Sequence, residues 1–260
     1  MILAFPITYT TQSKRKNQME RLDKRKFDEL RELEIIVGFQ RHPAGSVLVR
    51  FGNTRVICAV SVEEGVPRWM KEQNVEGGWI TGEYQMLPSA TAQRTEREVT
   101  RGKLSGRSAE IQRLVGRSLR AAVDLSKLPG LTLHVDCDVI DADGGTRCAS
   151  ITGASVALQI AAKKLMDEGR ITEWPLLSPV AAVSVGIVNG EPLLDLCYTE
   201  DSAAEVDMNV IMNAQGRFVE LQGTGEEATF SEDELATLLK LARKGLKEIF
   251  AAQDAVLKKQ

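Results

Sequence analysis

The chain has 260 residues, 43% hydrophobic and 27% charged, and a net charge of −3. This makeup is typical of an ordered soluble globule and argues against a disordered or fibrous chain. Two histidines leave little for a His-rich zinc site or a Ser-His-Asp triad, and four scattered cysteines without a CxxC spacing do not form a disulfide framework.

The chain opens with a short apolar run, residues 1–7, followed by a polar stretch and a second methionine, Met19. Seven residues are too few to cross a bilayer, and the run lacks the basic region of a secretory signal. We therefore expect a cytoplasmic protein without a membrane association. Residues 1–18 are predicted to be an N-terminal extension and residues 19–260 a single domain. Translation from Met19 is a hypothesis that the intact mass of the native protein tests.

The first patterned region predicts a β-hairpin, with β-rich runs at residues 46–51 and 54–60 around the turn Gly52-Asn53. Apolar residues then recur at helical spacing between residues 105 and 123, which predicts an amphipathic helix with a basic outer face. Residues 131–139 alternate as a strand and run into a glycine turn. A helix is predicted after that turn, over residues 150–166.

Two further hairpins are predicted, one pairing residues 183–188 with 193–198 and one pairing 210–212 with 218–221. The last helix is predicted to begin with a capping box formed by Ser231 and Glu234. Hairpins mixed with three strong helices predict an α+β domain with mixed β-sheets and packed helices, rather than a strictly alternating parallel sheet.

The turn Gly144-Gly145-Thr146-Arg147 places flexible backbone and a guanidinium where a helix is predicted to start. Free N–H groups and the helix dipole favour an anion there, and glycine lets the backbone approach it closely. The turn is compatible with a phosphate site, although glycine pairs also occur in ordinary tight turns.

A basic segment precedes it. Residues 91–120 hold seven arginines and one lysine against three glutamates in a chain that is acidic overall. Clustered arginine suits a nucleic-acid backbone, because the planar guanidinium binds two phosphate oxygens at once. A solvated helix face with Glu-Arg pairs is an equally good interpretation of composition alone.

Carboxylates cluster after a predicted strand, where Asp195, Asp201 and Asp207 follow one another. Asp195 and Asp201 are a candidate pair for a hard cation such as magnesium, which takes carboxylate oxygens and bridges them to phosphate. Asp136 and Asp138, on one face of a predicted strand, are a second candidate pair.

Several of these runs, in this order from about residue 20 onward, resemble the bacterial ribonuclease PH family. The runs that carry the resemblance are Gly78-Trp79-Ile80-Thr81-Gly82-Glu83-Tyr84-Gln85-Met86-Leu87-Pro88, Ser105-Gly106-Arg107 leading into Glu110-Ile111-Gln112-Arg113-Leu114-Val115-Gly116-Arg117, Asp136-Cys137-Asp138-Val139 leading into Gly144-Gly145-Thr146-Arg147, Leu194-Asp195-Leu196 leading into Glu200-Asp201-Ser202, Asp207-Met208-Asn209-Val210 and Val219-Glu220-Leu221-Gln222-Gly223-Thr224.

The resemblance implies a ribonuclease PH-like fold and a role for each candidate residue. Asp195 and Asp201 would be catalytic and bind the metal, Mg²⁺ or alternatively Mn²⁺, with Asp201 the choice for any acid/base role. Inorganic phosphate, the co-substrate, and RNA would be bound by the remaining candidates: phosphate by Arg107, Gly145, Thr146 and Arg147, and RNA by Arg94, Arg97 and Arg101.

The implied activity is phosphorolytic, reversible trimming of the 3′ end of transfer RNA precursors by a homohexamer built as a trimer of dimers. Three positions depart from the family pattern, since Lys24 stands where glycine is usual, Ser89 where arginine is common and Gly225 where alanine is common. Two alternatives stay open: a catalytically silent ring subunit that only holds RNA, and a small-molecule kinase, although the chain has no P-loop.

Overall fold

The computed structural model describes residues 20–100, 102–226 and 228–259. The predicted extension, residues 1–18, and the proposed start at Met19 lie outside the described residues. In the described part, no helix is both long and apolar enough to span a membrane.

A five-stranded sheet forms the N-terminal half. Its strands lie in the order β1-β2-β3-β5-β4, and all neighbours are antiparallel except β4 and β5. The strands are β1 (Leu33–Val37), β2 (Gly45–Phe51), β3 (Thr54–Glu64), β4 (Trp79–Met86) and β5 (Leu131–Asp141).

A four-stranded antiparallel sheet forms the C-terminal half, in the order β7-β6-β8-β9. Its strands are β6 (Val180–Val188), β7 (Glu191–Leu194), β8 (Val206–Asn213) and β9 (Phe218–Gly225). Every residue of β6 is buried, as expected for a central strand with both faces covered.

Within the described residues, five α-helices connect and cover the sheets. They are α1 (Arg68–Glu72), α2 (Gly106–Arg120), α3 (Thr146–Asp167), α4 (Tyr198–Asp201) and α5 (Glu232–Leu257). The Ser105 side chain caps α2 by accepting from the Ser108 amide, and the predicted capping box of Ser231 and Glu234 starts α5.

Helix α3 lies between the two sheets and packs against β2, β3 and β6. Glycine permits this close packing, because a Cβ on Gly153 would lie 2.7 Å from Cys58 Sγ and one on Gly45 would lie 2.0 Å from the Ala157 carbonyl oxygen. The hydrophobic core is therefore continuous from one sheet to the other.

The structure confirms the predicted α+β class, the three hairpins and the three long helices. Two boundaries were wrong. Helix α3 begins at Thr146 rather than residue 150, because the left-handed Gly145 ends the turn directly before it. The strand predicted over residues 193–198 ends at Leu194, because Asp195 takes a left-handed φ of 56° and α4 follows. Strands β1 and β4 were not anticipated.

Candidate active site

The site forms where β5 ends, α3 begins and α4 follows β7. Gly144 and Gly145 both have positive φ, 72° and 66°. A Cβ on Gly144 would lie 2.7 Å from the Cys197 carbonyl carbon, so the backbone there can approach α4 only as glycine. Gly145 is the N-cap of α3 and provides no capping side chain. The first N–H groups of this 22-residue helix are thus left for an anion.

Thr146, the first residue of α3, is buried, and its Oγ1 lies 2.8 Å from the hydroxyl of Tyr84 on β4. Burial raises the pKa of Tyr84, while the nearby charges of Arg107 and Arg147 partly offset that effect. The tyrosine therefore stays protonated and holds the Thr146 hydroxyl in place. Tyr84 lies in one of the runs that resemble the ribonuclease PH family, but no local pattern assigned it to the site.

Arg107 and Arg147 lie in the first turns of α2 and α3. The positive charges of both act on the same two carboxyl groups, Asp201 and Asp207, where they partly offset the rise in pKa that burial causes. The structure thus brings the predicted phosphate-binding residues Arg107, Arg147 and Thr146 together around the start of α3. This arrangement concentrates positive charge where backbone N–H groups are also free.

Asp201 ends α4 and Asp207 is the second residue of β8. Burial raises the pKa of both carboxyl groups, and for Asp207 burial together with repulsion from Asp201 raises the pKa to about 6. Asp207 Oδ1 is buried and has no hydrogen-bond partner among the described residues. Two close, poorly solvated carboxylates with an unpartnered oxygen are an arrangement that a hard cation relieves.

The side chain of Asp195, a predicted catalytic residue and metal ligand, is bound by Arg31. Its side chain is buried and accepts from the backbone N–H of Arg31 at 2.8 Å, from Arg31 Nε at 3.0 Å and from Arg31 Nη2 at 2.7 Å. Burial alone would raise the pKa of Asp195, but the charge and hydrogen bonds of Arg31 lower it further than burial raises it. Both oxygens are occupied by the arginine, so this geometry does not favour the predicted direct metal contact.

Arg31 connects Asp195 to the glycine turn. The guanidinium that Asp195 holds also donates to the carbonyl oxygens of Asp143, at 2.5 Å, and Gly144, at 3.5 Å. Through Arg31, Asp195 is therefore connected to the backbone of the glycine turn. The carboxyl group that Asp201 repels is that of Asp207.

A buried ion pair holds the segment between β7 and α4. Arg21 and Glu200 are bonded by Nε–Oε1 and Nη2–Oε2 contacts, both of 2.7 Å, and their side chains are only 0% and 5% exposed. Arg21 also donates to the carbonyl oxygens of Leu194 and Asp195. Sequence reasoning missed both Arg21 and Arg31, because a pairing across more than 160 residues leaves no local pattern.

The predicted RNA-binding residues Arg94 and Arg97 are exposed on the segment between β4 and α2, which leads directly to Arg107. Arg101 lies outside the described residues.

The second candidate pair of carboxylates, Asp136 and Asp138, lies on β5 beside Glu83. Burial and the charge of Glu83 raise the pKa values of both. In the described chain, no group of three or more His, Cys, Asp or Glu residues could hold a metal ion.

The structure shows the surroundings of the three residues that depart from the family pattern. Lys24 has a φ of 62°, a conformation that glycine adopts without strain. At Gly225, an added Cβ would lie 1.8 Å from the Ala228 carbonyl oxygen, so alanine would require the backbone to move. Ser89 is exposed.

Comparison with known proteins places the chain in a family. Residues 29–164 match the model of the 3′ exoribonuclease family, domain 1, and residues 178–245 match that of domain 2. The chain is 60% identical over 237 residues to ribonuclease PH of Bacillus pumilus (strain SAFR-032), covering 91% of this chain and 97% of that one. It is 56% identical over 241 residues to ribonuclease PH of Corynebacterium glutamicum (strain R), covering 93% and 98%.

A solved structure shows the same fold. The exosome of Archaeoglobus fulgidus with RNA bound to the active site superposes with a TM-score of 0.72 at 26% identity, over 93% of each chain. Together with the arginines, glycine turn and carboxylates described above, these matches establish that the chain belongs to the ribonuclease PH family and is a phosphorolytic 3′ exoribonuclease.

Proposed function

We propose that the start of α3 binds the attacking phosphate, through Arg107, Arg147 and the backbone of Gly145 and Thr146. The observation that carries this proposal is that two guanidiniums and an uncapped helix N-terminus converge on one pair of partly buried carboxylates. Two anions must meet in phosphorolysis, so charge stabilisation and positioning are the main requirements of the site.

In the proposed reaction, an oxygen of inorganic phosphate attacks the last internucleotide phosphorus. The bond from that phosphorus to the 3′ oxygen of the preceding nucleotide breaks, and the 3′ oxygen takes a proton. The products are a nucleoside 5′-diphosphate and RNA shortened by one nucleotide. Asp201, whose pKa is raised by burial, is our choice for any acid/base role.

We propose that Asp201 and Asp207 hold a divalent cation, Mg²⁺ or alternatively Mn²⁺. The unpartnered Asp207 Oδ1 and the mutual repulsion of the two carboxyl groups support a cation there. Water and phosphate oxygens would complete the coordination, as is usual for Mg²⁺. The cation would offset the charge that develops on the phosphoryl oxygens.

We propose that the RNA is the 3′ end of a transfer RNA precursor, that Arg94, Arg97 and Arg101 contact its backbone, and that the protein is a hexamer built from dimers. RNA is bound to the active site in the similar exosome structure from Archaeoglobus fulgidus, which supports RNA as the substrate here. The core that joins both matched regions supports residues 19–260 as one catalytic unit.

Replacing Arg94 and Arg97 together with alanine should weaken binding of long RNA and flatten its salt dependence. Each lost contact to single-stranded RNA should reduce the slope of log affinity against log salt by about 0.7. Fluorescence anisotropy at several salt concentrations measures the slope, and Arg41→Ala, at another exposed arginine, is the control. An unaltered slope would mean that the RNA takes another path.

Mg²⁺ affinity should fall as the pH drops through about 6, the pKa of Asp207 in the metal-free protein. Below that pH the cation must displace a proton, so affinity should fall about tenfold per pH unit. Calorimetric titration with Mg²⁺ measures this, and Asp207→Asn should bind the ion weakly without this pH dependence. Equal affinity on both sides of the pKa would refute the assignment of Asp207.

Arg147→Ala tests the proposed phosphate site. The variant should raise the KM for phosphate at least about tenfold, because a charge-assisted contact to the anion is lost. Diphosphate release from a 3′-tailed RNA is measured against phosphate concentration. Unchanged phosphate dependence would remove Arg147 from the site, and RNA binding without turnover by the unaltered protein would instead favour a silent subunit.

A further inference from the structure

The side chain of Gln222, on β9, is fixed at both of its ends. Its Nε2 donates to Glu110 Oε1 at 2.9 Å and to Glu220 Oε1 at 3.0 Å, and its Oε1 accepts from Arg147 Nη1 at 2.7 Å. Carboxylates accept hydrogen bonds and do not donate them, so only the amide nitrogen can face the two glutamates. The amide oxygen must then face Arg147.

Glu220 is itself held from α2. Arg117 Nε donates to Glu220 Oε2 at 3.0 Å and Arg117 Nη2 donates to Glu220 Oε1 at 2.9 Å, which is the two-bond geometry that fixes a carboxylate in one orientation. A chain of hydrogen bonds therefore runs from α2 through β9 to the first turn of α3. It ends on one nitrogen of Arg147.

Both contacts of Arg147 fall on Nη1, the second being Glu110 Oε2 at 3.4 Å. None of the described residues engages its Nε or Nη2, so that edge of the guanidinium can bind two oxygens of an anion. Gln222 is uncharged, so its close contact anchors the arginine without adding a second negative charge to that of Glu110.

We propose that Gln222 is a positioning residue for the phosphate co-substrate. It acts through Arg147 and turns the Nε and Nη2 edge of that guanidinium towards the phosphate. This inference rests on the proposed role of Arg147 in phosphate binding. It assigns a function to a residue of the C-terminal sheet whose side chain contacts Arg147, Glu110 and Glu220.

The test replaces Gln222 with methionine, which keeps the length of the side chain and removes both amide groups. The KM for phosphate should rise about tenfold, the effect of losing one hydrogen bond to a charged group. The kcat at saturating phosphate should change less than about twofold, because the chemical groups remain. Gln215→Met, at an exposed position in the β8–β9 turn, is the matched control and should leave both constants unchanged.

A double-mutant cycle separates the possible failures. In an Arg147→Ala background, Gln222→Met should have no further effect on the KM for phosphate, since it acts only through the arginine. An equal rise in both backgrounds, or a fall in kcat with an unchanged KM, overturns the inference. If Arg147→Ala raises the KM and Gln222→Met does not, the inference alone fails. If Arg147→Ala has no effect on the KM for phosphate, both the proposed phosphate site and the inference about Gln222 fail.

Gln222→Leu is a second variant that guards against a folding defect. Circular dichroism and thermal melting of both variants should match the unaltered protein closely, because the Gln222 side chain is partly exposed. Loss of folding by both variants would show a structural role and overturn the inference.

Discussion

Asp201→Asn should lower turnover by at least about a hundredfold while RNA binding survives. Asparagine keeps the shape of the side chain but removes the negative charge that faces Arg107, Arg147 and Asp207. The cation would lose one ligand, and any proton transfer by this group would stop. Loss of the charge should also lower the pKa of Asp207, since the two carboxyl groups repel each other.

Turnover is measured at saturating phosphate and Mg²⁺, and RNA binding by anisotropy of a 3′-tailed RNA. Asp167→Asn is the control, because Asp167 lies at the exposed end of α3 and pairs only with Lys163 among the contacts described for it. Normal cleavage by Asp201→Asn would show that the carboxylate assignment is wrong. Loss of RNA binding to the same degree as turnover would show that Asp201 acts on binding instead.

Arg21→Ala should have the largest effect on stability, a loss of about 3–5 kcal/mol in the free energy of unfolding. The substitution removes both close hydrogen bonds that Arg21 donates to the Glu200 carboxylate, so that Arg25, 3.7 Å from Glu200 Oε2, is left as its cation. It also removes donors from the carbonyl oxygens of Leu194 and Asp195. A protein that starts at Met19 would keep Arg21, so this prediction is independent of the start site.

Urea unfolding at a fixed protein concentration measures the loss. The control is Arg68→Ala, which removes an exposed ion pair to Glu72 within α1 and should cost less than about 0.5 kcal/mol. Equal losses of unfolding free energy in the two variants would show that the buried ion pair stabilises the fold no more than the exposed one does.

The buried pair also sets a pH dependence. Burial alone would raise the pKa of Glu200, but hydrogen bonds from Arg21 and from the Cys197 N–H lower it below its ordinary value of 4.5. The folded protein therefore holds this proton less readily than the unfolded chain. The stability that the pair provides is present above pH 4.5 and is lost as the pH falls through the lowered pKa.

The sequence predicted the parts of the site that have a local signal. These signals come from neighbouring residues: a glycine pair before a helix, a cluster of arginines, and carboxylates after a strand. The structure brings three of the predicted residues, Arg107, Arg147 and Asp201, together. Hydrophobic periodicity also predicted the long helices and the hairpins, because burial of one face repeats at a fixed spacing.

Other parts depend on contacts between distant residues. Asp195 was predicted as a metal ligand because it is a carboxylate near a strand end, yet Arg31, far away in the chain, occupies both of its oxygens. Asp207 was seen only as a following carboxylate, and its unpartnered oxygen is visible only in the fold. Gln222 has no sequence signal as a site residue, since it acts through a hydrogen bond to Arg147.

We propose that free phosphate, held by Arg107 and Arg147, is the group that attacks the RNA. The most direct test supplies radiolabelled orthophosphate with Mg²⁺ and a 3′-tailed RNA, and separates the nucleotide products. We predict that the label appears in the β-phosphate of a nucleoside 5′-diphosphate, in an amount equal to the nucleotides removed. Release of unlabelled nucleoside monophosphates, with all label remaining in orthophosphate, would contradict the account.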